Sequence, residues 1–239
     1  MQEAYLYQTV HVLDRKCLRL PEHLAVLDRW SRELFGRPGP QEAGKTAAGI
    51  VALAEREAPD SDRSKFVRLL LPASGGLRME FAGVSLYRGY DLRSLMPEAV
   101  TLQYDLPFSD APTAAREAAA ELARQIAGKS GAAVAVRCDR DEIVLAADEA
   151  TLFAVRGKTV CVSPGEQSVE RDLALQGIRA AGLKLAERPV ERGELPRMDE
   201  LFWVDHRGVT ALSRCDGRPY MAIIAERVAA AIRRSFQQP

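Results

Sequence analysis

The chain has 239 residues, of which 47% are hydrophobic and 28% charged, and its 33 basic residues balance its 33 acidic residues. This length fits one large domain or two domains of about 100 to 120 residues, each with a packed core. The balanced, scattered charge excludes a strong electrostatic attraction to nucleic acid or to an anionic membrane surface.

The N-terminal segment, the apolar runs and the spacing of the cysteines indicate the cellular compartment. The N-terminus has no basic region followed by a long apolar run, and no segment reaches the roughly 20 apolar residues of a membrane span. The four cysteines are far apart and lack the paired spacing of a zinc site or a disulfide framework. These features predict a cytoplasmic protein with reduced thiols, no metal, and neither nucleic-acid nor membrane partners.

Strand and helix patterns alternate over the first 106 residues. Strands are indicated by alternating or continuous apolar residues, and helices by apolar residues at a spacing of three or four. Pro21 suits the first turn of a helix and Gly36 its end, while Gly75 and Gly76 suit a hairpin turn. The predicted strands are residues 3–12, 65–71, 77–82, 83–90 and 99–106, and the predicted helices are residues 21–35 and 41–57.

A boundary is predicted at residues 107–112, PFSDAP, where two prolines interrupt the periodic pattern. It divides the chain into an N-terminal domain, residues 1–106, and a C-terminal domain, residues 113–239. The alternation of elements favours an α/β or α+β fold over a helical bundle. In the second domain, we predict helices at residues 113–128, 169–181 and 220–236 and strands at 132–137, from 143, 151–156, 159–163, 184–190, 201–204 and 209–213.

Five stretches resemble the class IV aminotransferases and aminodeoxychorismate lyases. The opening YLYQTV resembles their first strand, and PEHLAVLDR resembles the helix in which a His precedes an Arg that grips the cofactor phosphate. DEATLFAV resembles the Asn-Ile-Phe strand, and DELFWVDHRGVTAL resembles the late strand and loop near the phosphate. The fifth, SVERDLALQGIRAAGLKLAERPV, resembles the Gly-Ile-Thr-Arg helix and the following Glu-Arg strand.

This resemblance carries expectations about fold and assembly. It implies the two-domain, D-amino acid aminotransferase-like α/β (α+β) architecture of fold type IV, whose enzymes use pyridoxal phosphate (PLP). It also implies a homodimer and a small-molecule ligand in an interdomain cleft.

The residues that the family uses for chemistry are replaced in this chain. A PLP enzyme needs a lysine for its Schiff base, yet no lysine occurs from Val100 through Gln125, the region that matches the family's lysine. Ala146 stands at the position of the acid that contacts the pyridine nitrogen, and Asp148 and Glu149 are out of register with it. The prediction is therefore that this chain has no catalytic residue of the family. Three further positions depart from the family pattern. Gln8 stands where the family usually has Glu, Val26 where it has the phosphate-binding Arg, and Thr151 where it has Asn.

The resemblance assigns the cofactor phosphate to the N-terminus of one helix and to a late strand. Glu170 would place a carboxylate beside the dianion, and its expected role is to stabilise the first helical turn by about 0.3–1 kcal/mol. The position-matched cofactor residues are Ser168, Val169, Glu170, Val209 and Thr210.

Other candidates have simpler structural interpretations. His206 adjoins Asp205, but neighbours on a strand point to opposite faces, so we expect a turn residue rather than a catalytic dyad. Lys129, Lys158 and Lys184 lie at predicted element ends, where we expect them to be solvated.

Three functional hypotheses remain open. The first is a diverged class IV protein without PLP that acts as a binding or regulatory module. The alternative is an active PLP-dependent aminotransferase of branched-chain type, or an aminodeoxychorismate lyase, that uses a lysine elsewhere. The third is a PLP-independent enzyme whose polar groups include Gln8, Arg68, Thr151 and Thr210.

Overall fold

The computed structural model describes residues 3–59, 61–106, 108, 111–165 and 167–237. The chain forms two compact units, the first comprising Met1–Gly89 and Ala111–Ala114 and the second Tyr90–Asp110 and Ala115–Pro239. This division differs from the predicted one because residues 90–106 belong to the second unit. Of the predicted linker, Pro107, Ser109 and Asp110 lie outside the described residues.

The first unit is an antiparallel sheet with two helices. Its described strands follow the order β2-β1-β3-β4. The elements are β1 (Tyr5–Leu13), β2 (Lys16–Cys17), α1 (Leu20–Phe35), α2 (Ala43–Glu57), β3 (Lys65–Pro72) and β4 (Arg78–Val84).

The core of this unit is formed by the apolar side chains that β1 and β3 direct to one face of the sheet. Leu6 and Val10 of β1 and Leu69 of β3 are fully buried, and they pack with Leu27 of α1 and Ile50 of α2. Burying each such side chain stabilises the fold by about 1.5–3 kcal/mol. The helices therefore cover the face of the sheet that carries these residues.

The predicted strand at residues 83–90 is wrong beyond Val84, where β4 ends. The following residues fold around Ser64 instead of extending. The backbone nitrogen of Ser85 donates to the carbonyl of Ser64, the nitrogen of Ser64 to the carbonyl of Tyr87, and the nitrogen of Gly89 to the Ser64 hydroxyl. These bonds satisfy the backbone without a strand partner.

The second unit is built on one large mixed sheet. Over the described residues its path is β10-β9-β8-β7-β6-β5-β13-β14, with β11 paired to β8 and β12 paired to β11. The strands are β5 (Glu98–Gln103), β6 (Val134–Cys138), β7 (Val144–Ala147), β8 (Ala150–Arg156), β9 (Thr159–Val162), β10 (Lys184–Glu187), β11 (Glu200–Asp205), β12 (Gly208–Ala211), β13 (Arg214–Cys215) and β14 (Arg218–Pro219). The helices are α3 (Ala114–Lys129), α4 (Val169–Ala180), a 3-10 helix (Arg192–Arg197) and α5 (Ile223–Gln237).

Several predicted bounds shift in this unit. The strand predicted to reach residue 190 ends at Glu187, and the final helix begins at Ile223 rather than at residue 220. The backbone nitrogen of Tyr220 donates a hydrogen bond to the carbonyl of Ser213, so this residue lies outside the helix. None of the helices in the described residues has the length and apolar character needed to span a membrane.

The large sheet has apolar layers on both faces. On one face, Ala123 and Ala127 of α3 pack against Ala135 of β6. On the other face, Val136 and Trp203 belong to the larger core. Because both faces are covered, the central strands read as nearly continuous apolar runs in the sequence.

Candidate functional site

The N-terminus of α4 is capped by its own side chain. The hydroxyl of Ser168 accepts a hydrogen bond from the backbone nitrogen of Arg171 at 3.1 Å, a standard N-cap. Glu170 lies in the first turn, as the sequence predicts, and Val169 is buried. The Arg171 side chain is 4% exposed and pairs with Glu187 at 3.2 Å, so this helix end is fastened to β10.

Val209 and Thr210 contact the segment Asp91–Arg93. The nitrogen of Val209 donates to the carbonyl of Asp91 at 3.0 Å, and its carbonyl accepts from the nitrogen of Arg93 at 2.8 Å. The Arg93 guanidinium also donates to the Thr210 hydroxyl at 3.2 Å. The backbone donor that the resemblance offers to a phosphate is therefore bonded within the chain.

A row of opposed residues crosses β6, β7 and β8. Arg137 lies opposite Ala146, and Ala146 lies opposite Thr151, so their side chains share one face of the sheet. Arg137 is 8% exposed and Ala146 is 5% exposed. This row thus carries a guanidinium and a hydroxyl with a methyl group between them.

The turn between β7 and β8 contains an acid with an altered pKa. Burial raises the pKa of Asp148 to about 6, against the opposing charges of Arg124 and Arg207. Its Oδ1 lies 3.6 Å from Nε of Arg124, and neither atom makes a hydrogen bond within the described structure. On the same turn, Arg116 of α3 donates to the carbonyl of Glu149.

The turn between β11 and β12 contains a tight internal ion pair. Arg207 donates through its backbone nitrogen to Asp205 at 2.7 Å and through Nε at 3.0 Å. Burial opposes the charge, but Arg207 and His206 hold the pKa of Asp205 below its usual value. The Asp205 carboxylate therefore accepts hydrogen bonds from Arg207 and from the indole nitrogen of Trp203.

Candidates in the first unit lie on α1, β1 and β3. His23 is fully buried, with Nδ1 2.8 Å from the amide oxygen of Gln8. On β3, the Arg68 guanidinium carbon lies 4.7 Å from the ring centre of Tyr7 and 6.0 Å from that of Tyr5. This arrangement is a cation–π contact.

All six lysines lie within the described residues. Lys65 is buried, and its Nζ is 2.6 Å from Oε1 of Glu55. The other five are exposed: Lys16, Lys45, Lys129, Lys158 and Lys184.

The cysteines are all free, and burial raises the pKa of Cys17 and Cys138 to about 11 and that of Cys215 to about 12. Such thiols are poor nucleophiles because the thiolate is disfavoured. Within the described residues, no cluster of His, Cys, Asp or Glu could hold a metal ion.

The order of these elements and the sequence agree with one family. The profile of the family described as "Amino-transferase class IV" matches residues 5–205. This chain belongs to the class IV aminotransferase family. The comparison with curated proteins gave no match.

Solved structures of two aminotransferases and of an aminodeoxychorismate lyase share the fold. An aminotransferase from Brucella abortus bound to PLP has a TM-score of 0.81 at 16% identity, covering 98% of this chain and 89% of its own. A 4-amino-4-deoxychorismate lyase assigned in Legionella pneumophila gives 0.80 at 14%, covering 96% and 90%. A fold IV transaminase from Curtobacterium pusillum gives 0.79 at 18%, covering 96% and 84%. At these identities the likeness establishes the fold type IV architecture.

Several residues near these sites have no role that the sequence predicts. Contacts distant in sequence are made by Asp91, Arg93, Arg116 and Arg124. Arg137 lies opposite Ala146 in the pairing of β6 with β7. Only Arg137 has a local signal, because a charged residue interrupts the apolar run of β6. The others could not be recognised without the pairing of strands and turns.

Proposed function

We propose that this class IV chain has lost Schiff-base chemistry and serves as a binding or regulatory module for a small molecule. The observation that carries the proposal is the placement of the lysines. No lysine occupies residues 100–125, five of the six are exposed, and Lys65 is ion-paired with Glu55. A Schiff base needs a lysine whose amine can reach the cofactor aldehyde, and the Lys65 amine is held by Glu55.

The remaining positions also support a poor fit to PLP. The row on β6, β7 and β8 presents Arg137 beside Ala146 and no carboxylate, so a pyridinium nitrogen would meet a cation. The nitrogen of Val209 is bonded to Asp91, and Glu170 adds negative charge to the first turn of α4. Val26 lacks the guanidinium that would grip a phosphate.

An active PLP-dependent aminotransferase of branched-chain type, or an aminodeoxychorismate lyase, is the second candidate. The Brucella abortus structure is named an aminotransferase bound to PLP, and the Legionella pneumophila structure a 4-amino-4-deoxychorismate lyase. The capped N-terminus of α4 also retains backbone donors that favour an anion. In this case PLP would be the cofactor and one of the six lysines would carry it.

The proposal also covers the oligomeric state, the localisation and the partners of the protein. We infer a homodimer from the class IV membership, cytoplasmic localisation from the sequence, and no nucleic-acid or membrane partner from the balanced charge. A small-molecule ligand is the expected partner.

The decisive experiment mixes purified protein with PLP, records the visible spectrum, and reduces the mixture with borohydride before peptide mass spectrometry. We expect no band of protein-linked cofactor and no lysine carrying the reduced adduct. The Brucella abortus aminotransferase is the positive control, because its structure is bound to PLP. A single modified lysine in this chain, at stoichiometric yield, would establish the second candidate.

A further inference from the structure

The sheet of the first unit ends in an open strand. β4 is the last strand of the path β2-β1-β3-β4, and in the part of the chain that the structure describes it pairs with β3 alone. Its side chains alternate between exposed and half-buried along the whole strand, so no other described segment covers it. The unpaired N–H and C=O groups of such a strand can bond to a strand of another chain.

Only the first part of this strand is regular. Gly83 lies opposite Phe66 and Phe81 opposite Val67, so Ala82 has no partner on β3, and Gly83 has a φ of +113°. A bulge with a glycine of this kind bends a strand and ends regular pairing. Residues 78–81 are therefore the stretch that a further strand can follow, and we call them the β4 edge.

The charges of the β4 edge are complementary to the same edge of a second copy. Arg78 and Glu80 are both exposed and lie on one face of the strand, and neither forms an ion pair with another described residue. When two identical strands run antiparallel about Met79, Arg78 lies opposite Glu80 of the second copy, and Glu80 lies opposite Arg78. Opposite charges at facing positions stabilise a strand pair, whereas like charges destabilise it.

The same charges disfavour the neighbouring registers. Centring the pair on Arg78 would place two guanidinium groups opposite each other, and centring it on Glu80 would oppose two carboxylates. Centring it on Phe81 would carry the pairing through Gly83, where the strand is not extended. Only the register about Met79 joins opposite charges over the regular part of the strand.

We propose that two copies of this chain associate by antiparallel pairing of their β4 edges about a two-fold axis at Met79. The inference goes beyond the proposed function and does not depend on the loss of Schiff-base chemistry. Because each contact across a two-fold axis occurs twice, the pair contains two ion pairs between Arg78 and Glu80. It also joins two four-stranded sheets into one.

The opposite face of the β4 edge carries apolar side chains that a single copy leaves half-exposed. Leu77 and Met79 pack against the core of the first unit but are only partly buried, and Phe81 is also half-buried. In the proposed register, Met79 lies opposite Met79 of the second copy, and Leu77 lies opposite Phe81. Pairing therefore removes apolar surface from water, which favours association.

Two charges of the same chain adjoin these ion pairs. Arg68 of β3 lies opposite Glu80, so in the joined sheet Glu80 would lie between Arg68 and Arg78 of the second copy. Hydrogen bonds from Ser74, and to a smaller extent the charge of Arg78, lower the pKa of Glu3. Glu3 is bonded to the Ser74 backbone nitrogen at 2.6 Å, so the Arg78 guanidinium is available to a second copy.

Charge reversal tests the pairing in the full chain, with sedimentation at several protein concentrations as the measurement. Arg78→Glu or Glu80→Arg alone places like charges opposite each other twice, so either should raise the dissociation constant about tenfold or more. The double variant with both substitutions restores two pairs of opposite charge. Its dissociation constant should return to within about threefold of the wild-type value.

Matched controls and the double variant separate loss of pairing from loss of folding. Arg63→Glu and Glu33→Arg make the same charge changes at exposed residues outside β4, and they should leave the dissociation constant unchanged. Recovery in the double variant excludes a folding defect as the cause of dissociation. A wild-type chain that stays monomeric, single reversals that associate like wild type, or a double variant that does not recover would each overturn the inference.

A cysteine cross-link tests the register directly. Chains with Arg78→Cys are mixed with chains with Glu80→Cys under oxidising conditions, and peptide mass spectrometry identifies the disulfides. We expect disulfides that join position 78 to position 80 to exceed those that join either position to itself. Wild-type protein is the control for the partly exposed Cys17. An excess of 78–78 or 80–80 disulfides would overturn the pairing about Met79.

Discussion

Both carboxylate oxygens of Glu200 lie 2.8 Å from the backbone nitrogen of Ile224 and accept its hydrogen bond. One of them also accepts from the nitrogen of Ala225 at 3.0 Å. Glu200 sits at the start of β11 and is only 2% exposed. A strand residue therefore caps α5, because the first N–H groups of a helix have no partner within it.

Removing this cap should destabilise the second unit. Glu200→Ala would leave the buried donors of Ile224 and Ala225 without an acceptor, and we expect the free energy of unfolding to fall by about 2–3 kcal/mol. Urea denaturation followed by circular dichroism measures the change. Glu226→Ala, an exposed first-turn acid of the same helix, should change it by less than about 1 kcal/mol. Equal effects of the two substitutions would refute the capping role.

Asp148 should make stability depend on pH. Its folded-state pKa of about 6 lies above the ordinary value of 3.8, so ionisation is harder in the folded protein than in the unfolded chain. The contribution of Asp148 to the free energy of unfolding should therefore decrease as the pH rises from about 4 to 6, by roughly 2–3 kcal/mol, and level off above that. Asp148→Asn keeps the shape of the turn, so the difference in the free energy of unfolding between wild type and this variant should change by that amount between pH 4 and 6. A difference that stays constant over this range would show that the pKa of Asp148 is not raised.

Gly208 allows the segment Asp91–Arg93 to lie against β12. Its φ is +126°, and a Cβ there would lie 2.5 Å from the carbonyl oxygen of Asp91. Gly208→Ala should lower the free energy of unfolding by about 2 kcal/mol or more, because strain and a backbone clash combine. Gly182→Ala, with a φ of +68° and open space around it, should cost only about 1 kcal/mol. Thermal and urea unfolding measure both variants. A larger loss of stability in Gly182→Ala than in Gly208→Ala would contradict the proposed clash with Asp91.

Gly177 brings α4 and α5 into close contact. A Cβ on this glycine would lie 2.5 Å from Cγ1 of Ile232, so Gly177→Ala should destabilise by about 1–3 kcal/mol although alanine favours a helix. The cost should shrink when Ile232 is alanine, and a double-mutant cycle in urea measures that coupling. Gly128→Ala, in α3 with nothing nearby, should be neutral or stabilising. Additive effects of the Gly177 and Ile232 substitutions would argue against the clash.

Local patterns in the sequence were sufficient for most elements of the fold. The hairpin of β3 and β4, the helix bounded by Pro21 and Gly36, and the hairpin of β8 and β9 follow from alternation and turn residues. The strand predicted at residues 83–90 was wrong beyond Val84 because contacts distant in sequence determine that segment. Residues 85–89 form hydrogen bonds with Ser64 instead of pairing as a strand. No local pattern could reveal this.

The candidate site divides in the same way. The N-cap at Ser168 and the first-turn position of Glu170 were predictable because both depend on residues within one turn of helix. The use of the Val209 backbone by Asp91 depends on a contact over more than 100 positions in the chain. The register that sets Ala146 beside Arg137 and Thr151 likewise appears only when three strands are paired.

The central position of β5 determines where the second unit can be separated from the chain. β5 lies between β6 and β13 in the sheet, and its residues precede Thr113. A fragment starting at Thr113 would leave two bare strand edges able to capture other chains and precipitate. Expressing this half alone therefore calls for a start at Tyr90.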